Sequence, residues 1–195
     1  MKIDFEKYSL MVLGVSAGGM EVLRKLLPFF GHDFPLPVVI IQHLHPNQGE
    51  FYLRYFNDHC NLNVQEAVET ELVRPGNVYF APPNYHLLID LDKKFRMNVD
   101  PRVNFSRPSI DVFFESAAEV FKDQLIGVIL TGANDDGALG MKAINDAGGY
   151  TIAQDPQTAE VYTMPLAAIE KTKIDWITRV EELGTAIQEY DKNHI

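Results

Sequence analysis

The run Tyr8 to Gly19, YSLMVLGVSAGG, leaves few choices of local structure. An apolar stretch with β-branched and aromatic residues breaks at Gly14, offers one serine, and passes through small residues into an amphipathic segment. This pattern predicts a strand buried on both faces that delivers Ser16 into a turn at its carboxyl end, followed by a helix. Ligands of open α/β sheets bind just outside that edge, so the Ser16 hydroxyl is a candidate nucleophile.

The same alternation continues along the chain. Met20 to Phe30 places Val22, Leu23, Leu26, Leu27 and Phe30 on one helical stripe, stopped by Gly31. Pro37 to His43 reads as a second doubly covered strand with His43 at its end, and Gln48 to His59 suits a covering helix. From Val64 to Val99 the pieces shorten into NVYFAP, HLLIDL and KFRMNV. The last two are expected to pair as an antiparallel hairpin around Asp92-Lys93, and the whole stretch reads as an embellishment of the domain.

Ser109 is placed to cap a helix from Ile110 to Lys122. Gln124 to Leu130 is a strand that empties into the loop TGANDDGALG. A helix from Met141 to Ala147, a strand from Tyr150 to Gln154, a helix from Pro165 to Glu170, a strand from Ile174 to Thr178 and a helix from Val180 to Tyr190 complete the pattern. It predicts an α/β fold: a doubly wound, mainly parallel sheet with helices on both faces and a small antiparallel hairpin. The length of 195 residues suits one domain over residues 1–195.

Charge and composition narrow the function. A formal net charge of -10 sets the chain against nucleic acid and anionic lipid, which it would repel on approach. One cysteine, Cys60, cannot form an internal disulfide, and no apolar run is long enough to cross a bilayer. The opening MKIDFEKYS lacks the features of a secretion signal, so the expected location is the cytoplasm, without membrane insertion.

Three strand ends carry Ser16, His43 and the pair Asp135-Asp136. Parallel strands present their carboxyl ends on one rim, where a nucleophile, its base and an orienting acid can converge. A serine hydroxyl needs a histidine to take its proton, and a carboxylate on the far ring nitrogen fixes the tautomer and stabilises the imidazolium. Each residue also has a structural reading: Ser16 as a helix cap, His43 as a hydrogen-bonded ring under a loop, and the aspartates as turn formers. Their joint appearance at three strand ends favours a site.

Other patterns at these residues are weaker. GVSAG matches the G-x-S-x-G elbow, but a serine on the first strand has the wrong chain order for an α/β-hydrolase. The loop lacks the glycine spacing and the lysine of a phosphate cradle. His45 lies two residues from His43, yet no further ligand cluster supports a metal, and no cofactor is expected. His86 opens a strand and is a candidate for lining the cleft or for a structural hydrogen bond. His32, His59 and His194 read as solvated, whereas Trp176 and the phenylalanines read as core.

Read together, GVSAGG, QHLHP, RPGNVYFAPPNYHL, RPSIDVFFESAAEVF, GVILTGANDDGALGMKAI and GGYTIAQDPQTAEVYTMPLAAI resemble the catalytic domain of the chemotaxis receptor methylesterase (CheB-type) family, from about Leu10 to Trp176. The resemblance implies a hydrolase of glutamate methyl esters on chemoreceptors, with glutamine deamidation as a related activity. It assigns catalytic roles to Ser16, His43 and Asp136, choosing Asp136 over Asp135. It also implies an oxyanion hole from the backbone N–H of Ala133, assisted by the turn at Ala17.

Two departures stand out. Relatives often carry methionine at the Ala133 position, so the smaller side chain is expected to widen the cleft and alter which ester fits. The run His43-Leu44-His45-Pro46 is one residue longer than His-x-Pro, and resembles members fused to or partnered with a methyltransferase. Fewer than ten residues precede the first strand, so no receiver domain is expected before it. The implied partners are a methylated chemoreceptor or related signalling protein, with a methyltransferase or a separate receiver protein beside it. The alternative readings are a noncatalytic signalling module of the same fold, and an esterase or amidase acting on another substrate.

Overall fold

The computed structural model describes residues 3–43 and 49–193. Strands β1 (Leu10–Val15), β2 (Val38–Gln42), β3 (Asn63–Glu66), β4 (Asn77–Phe80), β7 (Leu125–Ile129), β8 (Tyr150–Gln154) and β9 (Trp176–Thr178) form one parallel sheet in the order β3-β4-β2-β1-β7-β8-β9. Between β4 and β7, β5 (His86–Ile89) and β6 (Phe95–Asn98) pair antiparallel as a separate two-stranded sheet.

The central strands are apolar on both faces, and their side chains alternate between two cores. Met11, Leu13, Val15, Val38 and Ile40 face one core, built with helices α1 (Gly19–Leu26), α2 (Gly49–His59) and α6 (Val180–Asn193) through Leu23, Phe56 and Ile187. Leu10, Val12, Val39 and Ile41 face the other, where Phe113, Met141 and Ala168 come from α3 (Ile110–Phe121), α4 (Ala138–Asp146) and α5 (Thr163–Lys171). The period-two alternation is what a strand sandwiched between helical layers requires.

The doubly wound α/β arrangement with its hairpin matches the expectation, with local corrections. NVYFAP is no embellishment: β4 lies inside the main sheet between β3 and β2, because Val78, Tyr79 and Phe80 are all buried. The edge strand β3 is a further addition; its sequence NVQE buries only Val64, too weak an apolar signal to stand out. Helix α1 ends at Leu26 and a 3-10 turn over Leu27–Phe29 replaces its last turn, as Pro28 cannot continue the α-helical hydrogen bonding. Phe51 and Phe105 are exposed rather than in the core, Phe105 at 95 %.

Strand β1 also runs one residue beyond Gly14. The glycine is there for closeness: a Cβ on it would lie 2.6 Å from Ile110 Cγ2 and 2.8 Å from Ile129 Cδ1. The missing side chain lets the first residue of α3 rest directly on β1. That contact sets where the α3 N-terminus points.

Candidate active site

The sheet order places β1 between β2 and β7, where the winding direction reverses, so a crevice opens at the carboxyl ends of these strands. In register, Val15 lies beside Gln42 and Gly14 beside Ile129. The next residues, Ser16, His43 and the loop after β7, therefore meet on one rim. Ser16 donates its backbone N–H to the Thr131 carbonyl at 3.0 Å. The Thr131 hydroxyl donates to the Ala17 carbonyl at 2.8 Å and accepts from Val161 N–H at 2.9 Å. Gly18, with φ of 78°, turns the chain into α1 and occupies its N-cap position without a side-chain bond. Capping is thus not the role of the Ser16 side chain.

Ser16 Oγ lies 3.0 Å from His43 Nδ1, and His43 Nε2 lies 2.8 Å from Asp136 Oδ2. The Asp136 side chain is fully buried and that of His43 is 16 % exposed. A carboxylate only accepts, so Nε2 carries the proton toward Asp136, and Nδ1 presents its lone pair to the serine hydroxyl. In this arrangement His43 is able to accept a proton from Ser16.

Burial by itself would raise the Asp136 carboxyl, but the bonds it receives outweigh that cost and hold it below the usual aspartate value. Beyond His43, these come from Ile110 N–H at 2.8 Å, Ser109 Oγ–H at 2.7 Å and Asp111 N–H at 3.1 Å. Two of these donors are the first backbone N–H groups of α3, which a helix leaves unpaired and which favour an anion. The arrangement is reciprocal. Asp111, in the first turn of α3, accepts from Gly137 N–H at 2.9 Å and Gly140 N–H at 2.7 Å at the start of α4. Asn104 bridges the pair, donating to Asp111 Oδ2 at 3.0 Å and reaching Asp136 Oδ1 at 3.5 Å.

Not every expected site residue joins this cluster. Asp135 is exposed and takes no part. Ala17 lines a cleft of about 540 Å³ together with Ser16, Gln42, His43, Tyr52 and Glu160. Ala133 is exposed and is not among that cleft's lining residues; Gly132 next to it is strapped to Val161 and Met164 by backbone bonds of 3.0 Å each. The expectation that His86 lines the cleft is corrected: it is buried, accepts from Ser109 N–H through Nδ1 at 3.2 Å, and donates from Nε2 to the Pro101 carbonyl at 3.1 Å. The hairpin seats it behind the helix cap rather than at the rim.

His32 and His59 are exposed, whereas Leu44, His45, Pro46 and His194 lie outside the described residues. No cluster suited to a metal occurs among the described residues. Sequence reasoning missed Asn104, Ile110 and Asp111 as partners of the acid, and Gln42, Tyr52 and Glu160 as cleft walls. The only signal for the former was Ser109, read as a cap for its own helix. The cap is real, with Val112 N–H on Ser109 Oγ at 3.4 Å, but the same hydroxyl also serves a carboxylate 27 residues away.

Comparison with known proteins gives the family. The family described as CheB methylesterase matches residues 11–187. A relative in Leptospira interrogans is 47% identical over 188 residues, covering 96% of this chain and 97% of its own length. A protein-glutamate methylesterase/protein-glutamine glutaminase of Carboxydothermus hydrogenoformans is 42% identical over 94% of this chain, which spans 55% of that protein. The crystal structure of the Thermotoga maritima CheB methylesterase catalytic domain superposes with a TM-score of 0.89 at 32% identity, covering 94% of this chain and 98% of that one. With a doubly wound sheet, a serine at its switch point and these relatives over nearly its whole length, the chain belongs to the CheB methylesterase family.

Proposed function

We propose that the chain is a protein-glutamate methylesterase that uses Ser16, His43 and Asp136 to hydrolyse γ-glutamyl methyl esters on chemoreceptors, and deamidates glutamine at the same site. The observation that carries the reading is the unbroken hydrogen-bonded line from buried Asp136 through His43 to Ser16. His43 Nδ1 takes the Ser16 proton as Oγ attacks the ester carbonyl, and Asp136 stabilises the resulting imidazolium. The tetrahedral intermediate collapses as the imidazolium returns its proton to the departing methoxide, releasing methanol and leaving a glutamyl-serine ester. Water, deprotonated by His43, then attacks that ester, releasing glutamate and restoring Ser16. With glutamine the first leaving group is ammonia.

The oxyanion donors of this reading are the backbone N–H of Ala133 and the turn at Ala17. Removing such a donor typically costs ~2.7–4 kcal/mol of transition-state stabilisation. Among the described residues, Ala133 N–H donates to no backbone carbonyl, which leaves it available. The proposed partners are a methylated chemoreceptor and a signalling protein that controls access to the cleft, in a cytoplasmic setting; no described helix is long and apolar enough to cross a membrane.

A fluorophosphonate probe should label Ser16, and Ser16→Ala or His43→Ala should lower methanol release from a methylated receptor by a factor of at least ~10³. Activity should fall with pH as His43 becomes protonated, because the charged ring cannot act as a base. Receptor binding without methanol release or labelling by the folded protein would instead identify a noncatalytic module.

A further inference from the structure

Behind the proposed triad a second hydrogen-bonded line begins at the far side of Asp136. Oδ2 of the carboxylate meets His43 and Ile110 N–H, whereas Oδ1 meets the Ser109 hydroxyl and Asp111 N–H. Ser109 itself is fully buried. Its hydroxyl proton goes to Asp136 at 2.7 Å, and its own backbone N–H goes to His86 Nδ1 at 3.2 Å. His86 is 1 % exposed and completes the line by donating from Nε2 to the Pro101 carbonyl. Both ring positions are therefore assigned: Nδ1 must hold a lone pair and Nε2 a proton.

This pattern exceeds what a helix cap needs. A serine N-cap accepts from an early helical N–H, which Ser109 does for Val112, and capping leaves open which group takes the hydroxyl proton. Directing that proton at Oδ1 resists rotation of the carboxylate about its Cβ–Cγ bond, which would turn Oδ2 away from the imidazole. A displaced hydroxyl would lose this hold, and the backbone carrying it is fastened by a ring from β5 in the other sheet.

We propose that Ser109 is a positioning residue for the hydrolysis, acting on His43 through Asp136, and that His86 holds Ser109 in place for that role. The proposal rests on the reading of Ser16, His43 and Asp136 as the triad. Ser109 removes negative charge from the carboxylate as well as aiming it. Its loss should make Asp136 a stronger acceptor for the imidazolium while leaving the ring less well directed. The titratable groups around His43 are Asp136, Asp111 beyond Asn104, and Glu21, Tyr52 and Glu160 on the cleft wall. Substitutions at 86 and 109 leave all of these in the chain.

The test uses the intact protein with p-nitrophenyl acetate as the probe ester, following kcat, KM and the pH profile well below the unfolding temperature of each variant. Ser109→Ala should lower kcat by ~10-fold with KM within about twofold, and move the acid limb of kcat/KM upward by a few tenths of a pH unit. Ser109→Thr, which keeps the hydroxyl, should recover most of the rate. His86→Ala should reproduce the kcat loss, and His86→Asn, whose amide oxygen can replace Nδ1 as acceptor, should restore it.

Because both act along one line, Ser109→Ala combined with His86→Ala should cost little more than either alone. A lower melting temperature with unchanged kcat and pH profile in Ser109→Ala would reduce the serine to a cap and overturn the proposal. Full additivity, or equal loss in His86→Asn and His86→Ala, would overturn the role of His86. Should Ser109→Ala not fold, the two His86 variants decide the matter. Ser16→Ala separates this from the parent reading: undiminished hydrolysis there would remove the triad, whatever Ser109 does.

Discussion

Asp136 and Asp111 are buried carboxylates sharing Asn104, yet the fold moves them in opposite directions. Asp136 is held below its usual value by the donors around it despite its burial. Asp111 is pushed up to about 6, chiefly by burial, with the charge of Asp136 adding to the rise against the N–H groups of Gly140 and Gly137. The folded protein thus retains a proton on Asp111 that the unfolded chain, near 3.8, has already released. Its contribution to stability falls as pH climbs between those values, whereas that of Asp136 is present above the unfolded value and lost as pH drops through its lowered one. Asp111→Asn should therefore flatten the decline in unfolding free energy between about pH 4 and 6, measured by urea titration at a series of pH values. An unchanged slope would mean that the fold does not disfavour the Asp111 charge. In the sequence Asp136 reads as half of an Asp-Asp turn and Asp111 draws no reading of its own; their coupling needs two helix N-termini that are brought together only by packing.

At the level of elements, the site depends on how closely α3 approaches β1. The clearance at Gly14 sets this, because Ile110, whose N–H bonds Asp136, occupies the space a side chain would fill. Gly14→Ala should destabilise the protein by about 1–3 kcal/mol, since the atoms in its way belong to branched, buried side chains that cannot swing clear. It should also slow ester hydrolysis by displacing the α3 N-terminus; denaturant unfolding and steady-state rates read the two effects, and wild-type values for both would dismiss the contact. The elements with strong apolar periodicity, β1, β2, α1 and α3, were legible in the chain to within a few residues. Strand β3 was not, as a sheet edge with one buried side chain has almost no pattern to read, and β4 was recognised as a strand but not placed in its sheet.

Across the whole molecule, a seven-stranded sheet separates two cores that, among the described residues, share no side chain. Ile187→Val on α6 and Ile144→Val on α4 remove one methylene each from opposite sides. Each should cost about 0.5–1.5 kcal/mol, and the pair should sum to within roughly 0.5 kcal/mol, as urea unfolding of the singles and the double would measure. A large coupling would show that strain crosses the sheet. The chain by itself determined the alternation of strands and helices, the three strand ends carrying Ser16, His43 and the pair Asp135-Asp136, and an acidic surface, because burial period and turn chemistry are local properties. Only the tertiary structure decided that β1 lies between β2 and β7, that His86 lies behind Ser109 instead of in the cleft, and that α3 offers its first N–H groups to an acid on another element. Those outcomes depend on strand order and on contacts between residues far apart in sequence, which no local pattern encodes.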